Sequence, residues 1–132
     1  MVNIKKDLQF GLESEEKVLS ILQTKINKNI IKTSEFHPFD YFCDNIYYEL
    51  KTRRCSHDQY PDTMVGKNKL TFALANPDNK YVFLFNFTDG LYYHNWIKDK
   101  WYNVKISGRS DRGIQELQKY FYINKKDLLL ID

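Results

Sequence analysis

Two carboxylates and one lysine lie close together in the segment Phe39–Lys51 (FDYFCDNIYYELK). Aromatic and β-branched residues on both sides of Asp44-Asn45 predict two strands that meet at a turn. A two-residue turn places Asp40 opposite Glu49. Like charges that face each other destabilise a strand pair unless a cation lies between them, and Lys51 shares the face of Glu49 because strand side chains alternate. Asp40, Glu49 and Lys51 therefore predict a divalent-metal site for phosphodiester hydrolysis.

The identity of the first acid depends on the register of this hairpin. A two-residue turn pairs Cys43 with Ile46, and each further pair follows by counting outward. Asp44 then lies in the turn, where Asp-Asn is favoured for its backbone chemistry. A longer loop would make Asp44 the alternative to Asp40. The simplest structural alternative for the whole cluster is an edge-strand ion pair in which Lys51 neutralises two exposed acids.

A third acid lies on the first predicted helix, at about residues 7–28. Its apolar positions recur at spacings of three and four: Val18, Leu19, Leu22 and Ile26. Glu15 falls on this apolar side, whereas Glu16 is rotated away from it by about a quarter turn or more. Glu15 is therefore a candidate site residue; the structural alternative is an acid near the first turn that the helix dipole stabilises.

The remaining pattern predicts an α/β domain with a mixed central sheet flanked by helices. We expect one domain over residues 1–132, since this length favours a single core. The predicted elements are a strand at 29–34, the hairpin, a polar loop at 55–66, a helix at 67–75, a buried strand at 81–87, a hairpin of 91–97 with 101–106, a short helix at 114–122, and a strand or turn at 127–131.

The order helix, three strands, helix, strand resembles the PD-(D/E)XK nuclease superfamily, which has the restriction-endonuclease-like fold. The residues that carry the resemblance are Glu15, Phe39-Asp40 and the triplet Glu49-Leu50-Lys51. Acid-x-Lys also occurs at residues 15–17 and 78–80, but only the triplet at 49–51 lies in an apolar strand. The family's proline before the first acid is absent, because Pro38 stands one position earlier. The resemblance covers about residues 10–88, an αβββαβ core, and leaves 89–132 as a C-terminal extension with a β-hairpin.

The resemblance implies a Mg²⁺-dependent nuclease, with Mn²⁺ as a substitute metal. Asp40 and Glu49 would be direct ligands together with the backbone carbonyl of Leu50, and Glu15 would reach the metal or its water. Lys51 would orient the attacking water and offset charge in the transition state.

Basic and aromatic residues after the triplet indicate a nucleic-acid partner, most plausibly DNA. The candidate contacts are Arg53, Arg54, Tyr60, Lys67 and Lys69, although Lys69 fits a solvated helix face equally well. The net charge of +3 permits such a partner without requiring it. The small size is typical of a structure-selective enzyme such as a junction resolvase, and many relatives act as homodimers. The alternative is a catalytically silent module that binds nucleic acid or protein.

The bulk composition limits the cellular context. No stretch approaches the ~20 apolar residues of a membrane span, so a soluble, cytoplasmic protein is the expectation. The abundance of Lys, Asn and Ile suits an AT-rich genome, such as that of a phage or another mobile element.

Overall fold

A computed structural model describes residues 4–109 and 116–131 of the chain. The helices and strands are α1 (Ile4–Lys25), β1 (Ile31–Lys32), β2 (Tyr41–Cys43), β3 (Ile46–Thr52), β4 (Asp62–Gly66), α2 (Lys67–Ala75), β5 (Lys80–Phe87), β6 (Gly90–Asn95), β7 (Asn103–Arg109), β8 (Glu116–Asn124) and β9 (Leu129–Leu130). A short 3₁₀ turn, Lys125–Asp127, separates β8 from β9. Neither described helix combines the length and apolarity that crossing a membrane would require.

Two sheets make up the β structure of the described residues. The larger has six strands in the order β1-β2-β3-β5-β6-β9, and only the β3–β5 pair in it is parallel. The smaller is antiparallel, in the order β4-β8-β7. The mixed central sheet with two helices agrees with the predicted α/β class, and β4 is an additional strand between β3 and α2.

The hairpin β2–β3 has the predicted register. Tyr41 faces Tyr48, Phe42 faces Tyr47 and Cys43 faces Ile46. The turn residues Asp44 and Asn45 have φ values of 50° and 64°, which are those of a type I′ turn and which Asn and Asp tolerate better than most residues.

Side chains of β3 alternate between two cores. Tyr48 and Leu50 join a cluster with Val18 and Leu22 of α1, whereas the odd-numbered positions point to the opposite face. That opposite face packs against α2 and the smaller sheet through a cluster that includes Phe83, Ala73 and Phe121. The central sheet is therefore covered on both faces, as the apolar run of β5 predicts.

Three predictions for segments after β3 are wrong. Residues 91–97 and 101–106 do not form a hairpin, because β6 pairs with β5 and β9 whereas β7 pairs with β8. The expected helix at 114–122 is a strand over its described part, 116–122. The polar loop at 55–66 contains β4. The extension therefore contains an antiparallel strand pair, but β7 and β8 form it.

Candidate metal and active site

Asp40 lies just before β2, where the strand pairing becomes irregular. Its backbone N–H donates to the carbonyl of Tyr48 at 2.9 Å, so Asp40 and Tyr41 both meet Tyr48, which is the pattern of a β-bulge. The regular Asp40–Glu49 ladder pair that the sequence predicts is not formed. The Asp40 carboxylate instead accepts a hydrogen bond from the N–H of Leu50 at 2.7 Å. This bond fixes the carboxylate beside β3.

Glu49 is buried in the middle of β3, with only 4% of the residue exposed. Burial, a hydrogen bond with Asp40 and the charge of Asp40 together raise the pKa of its carboxyl group to about 8, whereas Lys51 and Lys69 act in the opposite direction. The two carboxyl groups therefore meet on one side of the sheet. Two acids that share a small volume out of water retain a proton at neutral pH unless a cation replaces it.

Lys69 of α2 provides the cation nearest to Glu49. Its Nζ lies 2.7 Å from Glu49 Oε2 and is 16% exposed as a side chain, and it also donates to the carbonyl of Pro38. Buried Oε2 has no hydrogen-bond partner, so it has a nearby charge but no aligned donor. This oxygen therefore has unused hydrogen-bonding capacity.

Lys51 has the position that the alternation predicts. It is half-buried on the face of Glu49 and lowers the pKa of that carboxyl group through its charge. Within the described ranges, the side chain of Lys51 forms neither a hydrogen bond nor an ion pair. Its ammonium is thus available to a substrate or a water.

Glu15 approaches the same site from α1. The Tyr41 hydroxyl donates to the backbone carbonyl of Glu15 at 2.7 Å, which joins this helical turn to the start of β2. Burial raises the pKa of the Glu15 carboxyl group and the charge of Asp40 raises it further, while Lys32 on β1, 3.9 Å away, lowers it. The carboxylates of Glu15 and Asp40 therefore interact electrostatically, although Glu15 lies on α1 and Asp40 precedes β2.

The three acids do not form a compact ligand set in the absence of metal. Among the described residues, the one triplet whose ligand atoms all lie within 4.8 Å of one another is His57, Asp58 and Asp89. Glu15, Asp40 and Glu49 do not together meet this limit, and contact of Glu15 with a metal through water would suit this wider spacing.

The predicted nucleic-acid contacts take different positions. The Arg53 guanidinium is turned toward β4, where it donates to the carbonyl of Met64 at 2.6 Å. Exposed Arg54 lies over the ring of Phe10, 4.7 Å from its centroid. Lys67 begins α2 and is half-buried. Tyr60 is exposed and, together with Arg53, lines a cavity of about 330 Å³.

The alternative first acid lies away from the site. Asp44 is exposed in the turn between β2 and β3, and its carboxylate accepts a hydrogen bond from Asn27 at 3.3 Å. The geometry therefore supports Asp40 as the first acid.

Sequence reasoning missed two supports of the site. Lys32 forms ion pairs with Glu15 and Glu16. The hydroxyl of buried Ser14 is hydrogen-bonded to Thr52 Oγ1 at 2.5 Å and accepts a hydrogen bond from the Asn86 amide at 3.0 Å. The alternation within β1 could have indicated Lys32. No local pattern indicates Ser14, because its partners are 38 and 72 residues away.

The donor set suits a hard divalent cation. Asp40 and Glu49 supply carboxylate oxygens, which Mg²⁺ prefers, and one of these is buried without an aligned donor. A doubly charged ion would compensate two carboxylates that otherwise repel each other. The residues present therefore fit a divalent metal, which Asp40 and Glu49 would hold.

Comparison with known proteins agrees with this chemistry. A family model described as "Phage putative PDDEXK endonuclease" matches residues 5–128. No curated protein and no solved structure matches the chain. The match includes both helices almost entirely and every strand up to β8. The chain belongs to this phage PDDEXK endonuclease family and thus to the PD-(D/E)XK nucleases.

Proposed function

We propose that the protein is a metal-dependent endonuclease that hydrolyses phosphodiester bonds in DNA. The observation that carries the proposal is the convergence of the Asp40 and Glu49 carboxyl groups on the face of the sheet that Lys51 shares. An edge-strand ion pair does not account for it, because Glu49 is buried in a central strand. Membership of an endonuclease family supports the same reaction class.

The proposed metal is Mg²⁺, with Mn²⁺ as a substitute. Asp40, Glu49 and the backbone carbonyl of Leu50 are its protein ligands, and Glu15 contacts it through water. When bound, such an ion polarises the phosphate, activates a water and stabilises the leaving oxygen. Nucleases of this kind generally use divalent metals, which supports the assignment.

Each side chain of the site has a separate task in this reaction. Asp40 is oriented by the Leu50 N–H, so its carboxylate does not have to reorganise. Glu49 must release its proton before it can serve as a ligand, because burial favours its neutral form. Lys51 orients the attacking water and offsets negative charge that develops on the phosphate.

The substrate contacts extend from the end of β3. Arg53 and Tyr60 line the cavity of about 330 Å³, and Arg53 follows Lys51 by two residues, which is about 7 Å along a strand. Arg54, Lys67 and Lys69 add positive charge for the phosphate backbone. We propose a structure-selective enzyme such as a junction resolvase, and a homodimer would present two sites to two strands.

Incubation with nucleic-acid substrates tests the proposal. Supercoiled plasmid, single-stranded DNA, a four-way junction and RNA are each combined with Mg²⁺, Mn²⁺ or EDTA. We expect metal-dependent cleavage of DNA by the wild type and by the surface variant Lys98→Ala, and loss of cleavage in Glu49→Ala and Lys51→Ala. Binding without cleavage under every condition would instead identify a silent nucleic-acid-binding module.

A further inference from the structure

Lys69 occupies an unusual place for a helix lysine. Three groups surround its ammonium: Glu49 Oε2 at 2.7 Å, the carbonyl of Pro38, and the ring of Phe39, whose centroid is 5.9 Å away. Its side chain is only 16% exposed, so the charge is largely removed from water. A solvated helix lysine would show none of these contacts. Lys69 is therefore part of the acid cluster.

The contact between Lys69 and Glu49 is electrostatic and lacks hydrogen-bond geometry. Glu49 Oε2 is buried and has no aligned donor, and a buried acceptor without a hydrogen bond costs free energy. A cation that coordinates this oxygen directly removes that cost. The ammonium is thus a replaceable partner of the oxygen that a metal would use.

Charge balance makes the two cations mutually exclusive. Asp40 and Glu49, when ionised, carry two negative charges, and Lys51 and Lys69 carry two positive ones. A dication at Glu49 would lie beside the Lys69 ammonium, and because Glu49 is 4% and the Lys69 side chain 16% exposed, the repulsion between the two cations would be strong. Moving one ammonium into solvent relieves most of it, and Lys69 is the one that contacts the oxygen required.

We infer that Lys69 is an internal counter-ion that takes the place of the divalent metal at Glu49 and leaves when the metal binds. The inference rests on the proposed metal site and assigns Lys69 a role beyond contact with nucleic acid. It has two consequences. The charge of Lys69 weakens metal binding, and metal binding exposes the Lys69 ammonium.

Metal titration without nucleic acid tests the first consequence. Isothermal titration with Mn²⁺ compares the wild type, Lys69→Met, Lys69→Arg and Lys98→Met. Methionine keeps the apolar stem against Phe39, arginine keeps the charge, and Lys98→Met removes one charge from an exposed position after β6. We expect Lys69→Met to lower the Mn²⁺ Kd on the order of tenfold, with the other two variants close to the wild type. An unchanged or higher Kd in Lys69→Met would overturn the inference.

Chemical labelling of the wild-type protein tests the second consequence and needs no variant to fold. Acetylation of each lysine is followed by mass spectrometry with and without Mn²⁺. We expect Lys69 to react several-fold faster with Mn²⁺ present, and exposed Lys98 to react at the same rate in both. Unchanged Lys69 reactivity would also refute the exchange, as would a lack of Mn²⁺ binding in both the wild type and Lys69→Met.

The two proposals can fail separately. Exchange at Lys69 without cleavage of any nucleic acid would remove the proposed function and leave the metal exchange intact. Metal-dependent cleavage without a change in Kd or labelling would leave the nuclease and remove the role of Lys69.

Discussion

Two of the clusters in the described part of the chain combine acids with a basic side chain, and they balance charge in opposite ways. In the first, His57 donates its backbone N–H to Asp89 Oδ1 at 2.9 Å and its ring Nδ1 lies 2.5 Å from Oδ2. The hydrogen bonds from His57 lower the pKa of the Asp89 carboxyl group. In the second, burial together with the hydrogen bond and charge of Asp40 raises the pKa of Glu49 to about 8.

The difference shows which cluster has unused binding capacity. His57 and Asp89 are each about one-third exposed and satisfy each other, so an incoming ion would have to break good hydrogen bonds. Glu49 has a buried oxygen with a nearby charge and no aligned donor. Compactness alone would select the first cluster, since its ligand atoms lie within 4.8 Å. The raised pKa of Glu49 and its buried oxygen without an aligned donor favour the second cluster as the metal site.

The largest expected effect is on cleavage. Glu49→Gln keeps the volume of the side chain but removes the anionic ligand, so we expect metal-dependent DNA cleavage to fall at least about a hundredfold. Asp89→Asn, the matched change in the other cluster, is expected to stay within about threefold of the wild type. Initial rates on supercoiled plasmid measure both. Equal losses of cleavage in the two variants would contradict the assignment of the active site to the Glu49 cluster.

Metal affinity should depend on pH at one cluster only. Glu49 must lose its proton to act as a ligand, and its pKa in the metal-free protein is about 8. We therefore expect the Mn²⁺ affinity to rise by up to about tenfold per pH unit from pH 6 to 8 and to level off above pH 8. Asp89→Asn should retain this slope, and Glu49→Gln should lose it. A wild-type affinity that does not change over this range would contradict the raised pKa.

The two clusters should also give opposite pH dependences of the free energy of unfolding. The folded-state pKa of Glu49 lies above its ordinary value of 4.5. The stabilising contribution of Glu49 to the free energy of unfolding is therefore full below about pH 4.5 and is lost as the pH rises through 8. The pKa of Asp89 lies below its ordinary value of 3.8, so its contribution is full above that pH and is lost as the pH falls through the lowered pKa.

Urea unfolding of the metal-free protein at several pH values measures these contributions. We expect Glu49→Gln to gain stability relative to the wild type between pH 5 and 8, by roughly 2–4 kcal/mol at the upper end. Asp89→Asn should show its deficit at neutral pH and approach the wild type in acid. If the free energy of unfolding had the same pH profile in the wild type and in Glu49→Gln, ionisation of Glu49 would not destabilise the folded protein.

Local sequence predicted the hairpin of the site because its turn is encoded locally. Asp44-Asn45 adopts the positive φ values of a type I′ turn, and this fixes the register of Tyr41 with Tyr48. The range of α2 was predicted correctly, since Pro77 prevents its continuation. The bulge at Asp40 was not predictable, because it depends on the Tyr48 carbonyl across the strand pair.

The smaller sheet escaped prediction because its pattern is ambiguous and its pairing is long-range. Residues 116–122 contain good helix formers, yet they belong to β8, whose residues 120–124 pair with β4 more than 50 residues earlier and whose Phe121 is buried. Tertiary pairing therefore overrides local preference. The role of Lys69 depends in the same way on how α2 docks, since only that placement brings its ammonium to Glu49.

The smallest expected effect concerns how the Glu49 cluster is assembled. Its members come from α1, the start of β2, β3 and α2, whereas His57, Asp58 and Asp89 lie in two loops. Ser14, next to Glu15, ties α1 to β3 and β5 through Thr52 and Asn86. Ser14→Ala leaves these two partners without their hydrogen bonds, and we expect a loss of about 1–2 kcal/mol in the free energy of unfolding.

The same substitution should affect catalysis only through the placement of Glu15. We expect a few-fold decrease in cleavage by Ser14→Ala, with an unchanged Mn²⁺ Kd if Glu15 contacts the metal through water. Exposed Ser20 on the same helix provides the matched control, and Ser20→Ala should change the unfolding free energy by less than about 0.5 kcal/mol. A clear rise in Mn²⁺ Kd for Ser14→Ala would instead make Glu15 a direct ligand. Loss of the Ser14 hydrogen bonds displaces α1 only slightly, and only a ligand whose oxygen touches the ion would convert so small a displacement into weaker metal binding.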